Sequence, residues 1–484
     1  MAMKTGVLLE ELIYISHASK TDFALSMNMT PSGLSKILKG GRLPFLKEKR
    51  AFSKMAAGYF AEILYDELCY LKFERIFPVL YDFSSKYELE MFLSNAIEYA
   101  FDKDFDEENN GSLGYSDREA SFLGKKTILN MFCVLVSDYL TREEGVPMEL
   151  YSTLPWFDKI YGDILSRIKL LTSKRQKDIL LNQFVEPHSI DEADKNYDID
   201  VISTIVNCQK SVDLNLWQVK KEINSTFFLL RGRFLMLFSF QIDGTPLMTF
   251  ITHRGYLTSF YNSLMKREAK KVSYNGIEAR KALKADPDLL SKLIDRKIDS
   301  VYNFISIGYL ITEQELERAR SEEYVKKGLL SLFRNILDKD TIFYVTIDAM
   351  LGFCATGKAI VPLVGAIDFP SKERVSYLTR FNTSINDQSS DKIRVVNSEL
   401  PKAAVLCSKG FSLIYMIDSK YESEKIHYFE SDLINDILKK EIDGDGMILM
   451  DFSLDLWENY LDEMSGSFVM ADFEMGEESD KMDF

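Results

Sequence analysis

The sequence predicts a mostly α fold with an α+β C-terminal region: an N-terminal helical domain, a helical middle region and a mixed α/β C-terminal domain. Three observations carry this expectation. Apolar residues recur at helical spacing from the start of the chain to about residue 184, as in Leu8, Leu9, Leu12 and Ile13, or Ile128, Met131 and Leu135. After about residue 225 the texture changes to short runs rich in Phe, Leu, Val and Ile. Polar, acidic stretches at 102–120 and 186–200 separate these textures and read as loops or linkers. The expected boundaries are 1–60, 61–200 and 201–464, with an acidic tail at 465–484.

Bulk properties narrow the class. A chain of 484 residues corresponds to roughly two to four domains. It is 46% hydrophobic and 27% charged, with 33 Phe, 24 Tyr and only 11 Pro, which argues against long disordered tracts. The net charge of −15 repels nucleic-acid phosphates, so any such contact requires a local basic patch. The five cysteines are far apart and form no CxxC pair. Reduced thiols in a cytoplasm are therefore expected, without a disulfide framework or zinc site. Glu10 and Glu11 interrupt the N-terminal apolar stretch, so it does not read as a signal peptide. No membrane segment is expected, because the most apolar run, 227–242 (FFLLRGRFLMLFSFQI), carries Arg231 and Arg233 and reads as buried strand.

From the N-terminus, residues 1–58 read as short helices with tight turns, and 44–100 as continued helix interrupted at Pro78. Residues 121–184 return to helical periodicity. The runs around Asp243-Gly244 form a hairpin, with the second extending through LMTFITHRGYLTSFY. Residues 286–337 read as helical. The segments 341–354, 359–368, 393–397, 403–417 and 446–452 read as strands or buried segments.

The segment KTDFALSMNMTPSGLSKILKGGRLP (20–44) carries the most chemistry. It reads as two helices around a sharp turn. Thr21 is placed to cap the first, and Ala24 is small enough for a steep helix crossing. Asn28 tolerates the positive φ of the turn. Thr30 caps the second helix, with Pro31 at its first position. Leu34, Ile37 and Leu38 form its buried stripe, and Gly40 and Gly41 end it. Between Lys20 and Arg50 there are seven cations (Lys20, Lys36, Lys39, Arg42, Lys47, Lys49, Arg50) and two anions (Asp22, Glu48), a local +5 within an acidic chain.

Over roughly residues 5–60 the chain resembles the lambda-repressor-like, or Xre/Cro-type, helix-turn-helix regulators. TPSGLSKILKGGRLP follows that family's pattern S-x-S-x-x-S-R-I-L-x-G-x-R-x-P. It departs at the turn, where Asn28 replaces the usual Gly, and at the start of the second helix, where Lys20 or Thr21 replaces the usual Gln. The resemblance implies sequence-specific recognition of double-stranded DNA through residues 20–44. Ser32, Gly33 and Lys36 would meet base edges in the major groove; Thr30, Ser35, Lys39 and Arg42 would meet phosphates, with Thr21 completing the set. It further implies a bacterial or phage transcription regulator that works as a homodimer, with no cofactor. The 400-odd residues that follow would sense a peptide, small-molecule or protein effector, or drive oligomerisation. The alternative is an enzyme or phage-defence-type effector that uses the helix-turn-helix for recruitment or assembly.

Other signals are weaker. Gly352 to Lys358 fits GxxxxGK, but no Ser or Thr and no helix follows in the pattern, as a phosphate loop requires. His17, His188, His253 and His427 are scattered without metal-ligand spacing. Lys266, Arg267, Lys270 and Lys271 read as a solvated face. The aromatic residues of 59–101 read as core.

Overall fold

In the computed structural model, the described residues are 3–41, 43, 46–110, 119–142, 146–154, 168–170, 179–185, 201–219, 225–286, 295–305, 308–338, 341–370, 373–374, 376–380, 393–398, 400–417, 423–444, 447–449, 459, 462–463 and 466. The chain divides into two compact units. Unit 1 is 1–186 with 207–215 and 219–269, and unit 2 is 187–206 with 216–218 and 270–484.

Unit 1 opens with four helices, α1 (Thr5–Ile15), α2 (Lys20–Ser26), α3 (Pro31–Leu38) and α4 (Lys49–Leu64). A short strand β1 (Val79–Tyr81) begins directly after Pro78, and α5 (Lys86–Asn110), β2 (Glu119–Leu123) and α6 (Lys125–Arg142) follow. Then come β3 (Met148–Ser152), β4 (Ile168–Leu170), β5 (Ile179–Val185), β6 (Asp213–Val219), β7 (Thr226–Leu230), β8 (Phe234–Phe240), β9 (Pro246–Ile251) and β10 (Ala269–Lys271), of which residues 216–218 in β6 and 270–271 in β10 fall to unit 2. Seven of these strands join β2 in a mixed sheet of order β10-β6-β5-β3-β7-β8-β9-β2, while β1 pairs with β4.

α6 lies at the centre. Every residue from Ile128 to Leu140 is buried, the signature of a helix covered on all sides. Its Phe132 meets Phe228 of β7 at 4.9 Å between ring centroids, and its Tyr139 meets Phe234 of β8 at the same distance. Ser137 bridges to the backbone of Val79 in β1.

The fold class expected from the sequence needs correction. The chain is not mostly α with a helical middle: it contains two large mixed sheets, and β1 to β5 all fall within 61–200. The misreading has a physical cause. β3 (MELYS) and β5 (ILLNQFV) pair in parallel and are largely buried. A short run that is apolar on both faces has no period of two, so it reads like buried helix. The stretch 102–120 is likewise not a loop throughout. α5 runs to Asn110, β2 begins at Glu119, and 111–118 lie outside the described residues. The polar residues of this stretch that looked solvated make tertiary bonds: Asp102 to Lys49 at 2.5 Å, Lys103 to Asp138 at 2.8 Å, and Asp104 to the Thr5 N–H at 2.8 Å. The stretch 186–200 lies outside the described residues.

The run at 227–242 forms two strands, because Gly232 (φ 70°) turns the chain between them. The Asp243-Gly244 turn joins β8 to β9 as expected, with Gly244 at φ 80°. The hairpin's second run ends early, and residues Arg254–Leu264 form a helix capped by His253.

Helix α7 (Val201–Ser211) is divided between the units at residue 206 and α8 (Arg254–Leu264) belongs to unit 1, whereas unit 2 contains α9 (Gly276–Ala285), α10 (Glu313–Glu317), α11 (Glu323–Asp338), α12 (Ile347–Thr356) and α13 (Asp432–Ile442). Its strands are β11 (Ser273–Asn275), β12 (Ile298–Asn303), β13 (Ile342–Thr346), β14 (Lys358–Val361), β15 (Gly365–Asp368), β16 (Ile393–Ser398), β17 (Ala404–Ser408), β18 (Phe411–Ile417), β19 (Glu424–Phe429) and β20 (Met447–Leu449). The sheet order is β11-β19-β18-β17-β12-β13-β16-β20, with β14 and β15 forming a separate hairpin. β12, β13 and β16 are parallel neighbours at the centre, joined by helical crossovers, and the flanking strands are antiparallel. The expected helix over 286–337 therefore contains a strand, β12. The expected strand over 341–354 ends at Thr346, whose hydroxyl accepts from the Ala349 N–H at 3.1 Å and starts α12. Of the acidic tail at 465–484, all but Gly466 lies outside the described residues. Among the described residues no helix is long and apolar enough to cross a membrane.

Candidate nucleic-acid interface

The site is built on α1, α2 and α3. Ser19 caps α2, accepting from the Thr21 and Asp22 N–H groups at 3.1 and 3.3 Å. The cap thus lies two residues before the expected one, Thr21, and the helix begins at Lys20. Phe23 and Ala24 are fully buried, and Phe23 meets Phe60 of α4 at 4.7 Å. The chain then reverses at Asn28 (φ 53°). Asn is among the few non-Gly residues that adopt this left-handed conformation at modest cost. The Met29 N–H donates to the Ala24 carbonyl at 3.0 Å, closing the turn.

α3 starts as the sequence predicts. The Thr30 hydroxyl accepts from the Gly33 N–H at 3.1 Å, and Pro31 occupies the first turn. Leu34, Ile37 and Leu38 are buried, and Gly40 (φ 69°) ends the helix. α1 crosses its end closely. A Cβ on Gly6 would stand 2.3 Å from the Leu38 carbonyl oxygen and 2.9 Å from that of Ile37. Only Gly permits this approach, which outweighs its cost of about 1 kcal/mol within a helix.

Of the residues singled out from the sequence, Thr21, Thr30, Ser32, Ser35, Lys36 and Lys39 are exposed and Gly33 is half-buried. Arg42 lies outside the described residues. Ser32, Ser35, Lys36 and Lys39 stand on the side of α3 opposite its buried stripe. The basic island is smaller in space than in sequence. Lys20 pairs with Glu10 at 3.1 Å, Lys49 with Asp102, and α1 adds Glu11, which pairs with Arg75. Lys36 of α3 and Lys39 at its C-cap have no ion-pair partner among the described residues.

A buried cluster, missed from the sequence, ties these helices to the rest of unit 1. The Asp138 carboxylate of α6 is completely buried. It accepts from the Met3 N–H (3.0 Å), the Tyr99 hydroxyl (2.8 Å), Lys103 Nζ (2.8 Å) and Arg142 Nε (3.0 Å). Burial pushes its carboxyl up, but the Lys103 and Arg142 charges outweigh this and hold it below the usual carboxylate range. Burial, followed by the Asp138 charge, pushes the Tyr99 hydroxyl well up. The signals for this cluster were a lone Asp within an apolar helix and an Arg four residues on.

Two other signals prove structural. Gly352 sits inside α12, and Gly357 is that helix's left-handed cap before β14. A phosphate loop has the reverse order, loop then helix. His427 Nδ1 lies 2.7 Å from Ser273 Oγ, and both are fully buried. Ser273 Oγ also accepts from the Leu216 N–H at 2.7 Å. Burial, assisted by Lys425, lowers the His427 pKa to about 3, so the ring stays neutral. In unit 1 an open cleft of about 690 Å³ lies beside β9, lined by Glu119, Leu237, Thr249, Ile251, His253 and Tyr256 among others. Lys270 and Lys271 of the second basic run are paired with Glu430 and Glu278. No cluster of three His, Cys, Asp or Glu side chains among the described residues is arranged to hold a metal ion. Compared with known proteins, the chain matches no protein-family model and no curated protein sequence.

Proposed function

We propose that α2 and α3 form a helix-turn-helix that binds double-stranded DNA, with α3 in the major groove, and that the chain is a sequence-specific transcription regulator. One observation carries this reading. α3 is locked at its buried stripe and at both ends, yet presents a polar, cationic face of Ser32, Ser35, Lys36 and Lys39. On this reading Ser32, Gly33 and Lys36 read bases, and Thr30, Ser35 and Lys39 hold phosphates. One recognition helix buries too little surface for useful specificity. The reading therefore requires two copies on half-sites about 34 Å apart. The cleft beside β9 has a size that suits a small effector. The place of action is a bacterial cytoplasm, where DNA is accessible.

The test uses the full chain, because α1 to α4 share their core with α5 and α6. Duplexes selected from a random pool are titrated by fluorescence anisotropy at several salt concentrations. Lys36→Glu with Lys39→Glu should weaken binding at least tenfold and lower the salt slope by about 1, given roughly 0.9 for the single phosphate contact of Lys39. Selection of no duplex, or unchanged binding by the double variant, sinks the assignment.

A further inference from the structure

We propose that β2 is an assembly edge, through which two copies of the chain join by antiparallel pairing of their β2 strands. β2 ends the sheet order of unit 1, and among the described residues no strand lies on its outer side. Its backbone polarity follows from the ladder with β9. The Gly124 N–H donates to the Pro246 carbonyl at 2.9 Å, and the register pairs Phe122 with Met248 and Ala120 with Phe250. In an antiparallel ladder, hydrogen-bonded pairs alternate with pairs whose N–H and C=O groups point away. Glu119, Ser121 and Leu123 therefore aim their N–H and C=O groups at the open edge. The 3.5 Å approach of the Ser121 and Thr249 hydroxyls fits the closer spacing of a non-bonded pair.

Exposed edges are normally blunted by Pro, Lys or a bulge. β2 (EASFL) has none of these, and its single charge is Glu119 at one end. The strand is also complementary to itself. With a twofold axis at Ser121, Ser121 faces Ser121, Glu119 faces Leu123 of the second copy, and Ala120 faces Phe122. All three outward-pointing residues then fall in bonded pairs, completing six hydrogen bonds. Centring on Glu119 would oppose two carboxylates, which is unfavourable. Centring on Leu123 would run into α6. In the Ser121 register the two Glu119 residues stand four positions apart, roughly 13 Å. That exceeds the screening length of about 8 Å at physiological salt. Pairing also brings each Glu119 toward the α6 start of the other copy, where Lys126 is exposed. This self-complementarity identifies a second copy, rather than a foreign strand, as the occupant.

The inference supplies the pairing that the DNA reading requires but does not depend on DNA binding. The test is sedimentation velocity of the full chain without DNA. Wild type should sediment at twice 55.7 kDa. Ser121→Lys, which sets two cations face to face, and Ser121→Pro should sediment as single chains. Because the Ser121 N–H points away from β9, proline there leaves the β2–β9 ladder whole, so both variants should keep the wild-type circular dichroism and melting temperature. Ser121→Cys should form an intermolecular disulfide under oxidation, while Ala120→Cys and wild type should not. Lys36→Glu with Lys39→Glu should remain paired, which separates failure of this edge from failure of the DNA reading. A single-chain wild type overturns the proposal, as does a dimer unaffected by Ser121→Lys and Ser121→Pro.

Discussion

Replacing Asp138 with Asn tests what holds the N-terminal helices to the rest of unit 1. Asn retains the shape of the side chain but removes the charge that neutralises Lys103, whose side chain is only 7% exposed. Breaking a buried ion pair by removing one partner costs about 3–5 kcal/mol. That is a large share of the roughly 5–15 kcal/mol that stabilises a typical domain. Met3 and Tyr99 also bond to Asp138, so the loss should appear in α1 and α5 as well as α6. Hydrogen exchange at pH 7 should therefore quicken about a hundredfold or more for the amides of these helices. The pH dependence follows from the lowered carboxyl of the folded state. Its stabilisation is present above the unfolded carboxylate value of about 4 and is lost as pH falls through the folded value. The gap between wild type and Asp138→Asn should therefore shrink in acid. A change in exchange below tenfold at pH 7, or a gap that persists undiminished in acid, would refute the reasoning.

Two further predictions concern the helix crossing and unit 2. Gly6→Ala should lower the melting temperature of unit 1 and weaken DNA binding, because the new Cβ meets backbone atoms of α3. An overpacking cost of about 1–3 kcal/mol exceeds the helix-propensity gain of roughly 1 kcal/mol; a stabilised variant would show that the crossing is not tight. In unit 2, His427 stays neutral down to about pH 3, whereas in the unfolded chain it protonates near 6.5. Its folded pKa is depressed, so stability is retained above pH 6.5 and lost below it, by about 1.4 kcal/mol per pH unit. Denaturant titrations should show this slope between pH 6 and 4 (about two units), and His427→Gln should flatten it; an equal slope in the variant would contradict the assignment.

The legibility of the fold differed by region for physical reasons. Residues 20–41 were readable because their conformation is set locally. Thr30, Pro31, Asn28 and Gly40 each answer to a cap, a first-turn position or a positive φ, all within a few residues. Turn chemistry was equally visible at Asp243-Gly244. The middle region was misread because β3 and β5 owe their extended form to partners distant in sequence. Ser19 was recoverable, since Asp22 three residues on is a common cap spacing. The apparent +5 island was not a reliable guide to the surface. Lys20 and Lys49 spend their charge on Glu10 and Asp102, and the second of these lies 53 positions away.

The sequence by itself determined the three helices of the candidate interface, the turn between them and the polar face of α3. Each depends on rotamer, φ and capping preferences that a short segment carries within itself. The tertiary structure alone decided that the chain is built around two mixed sheets, that Asp138 anchors the first residues, and that β2 is left as an open edge. These depend on which groups meet across many residues, where burial, strand partners and charge neutralisation are not written in any local pattern.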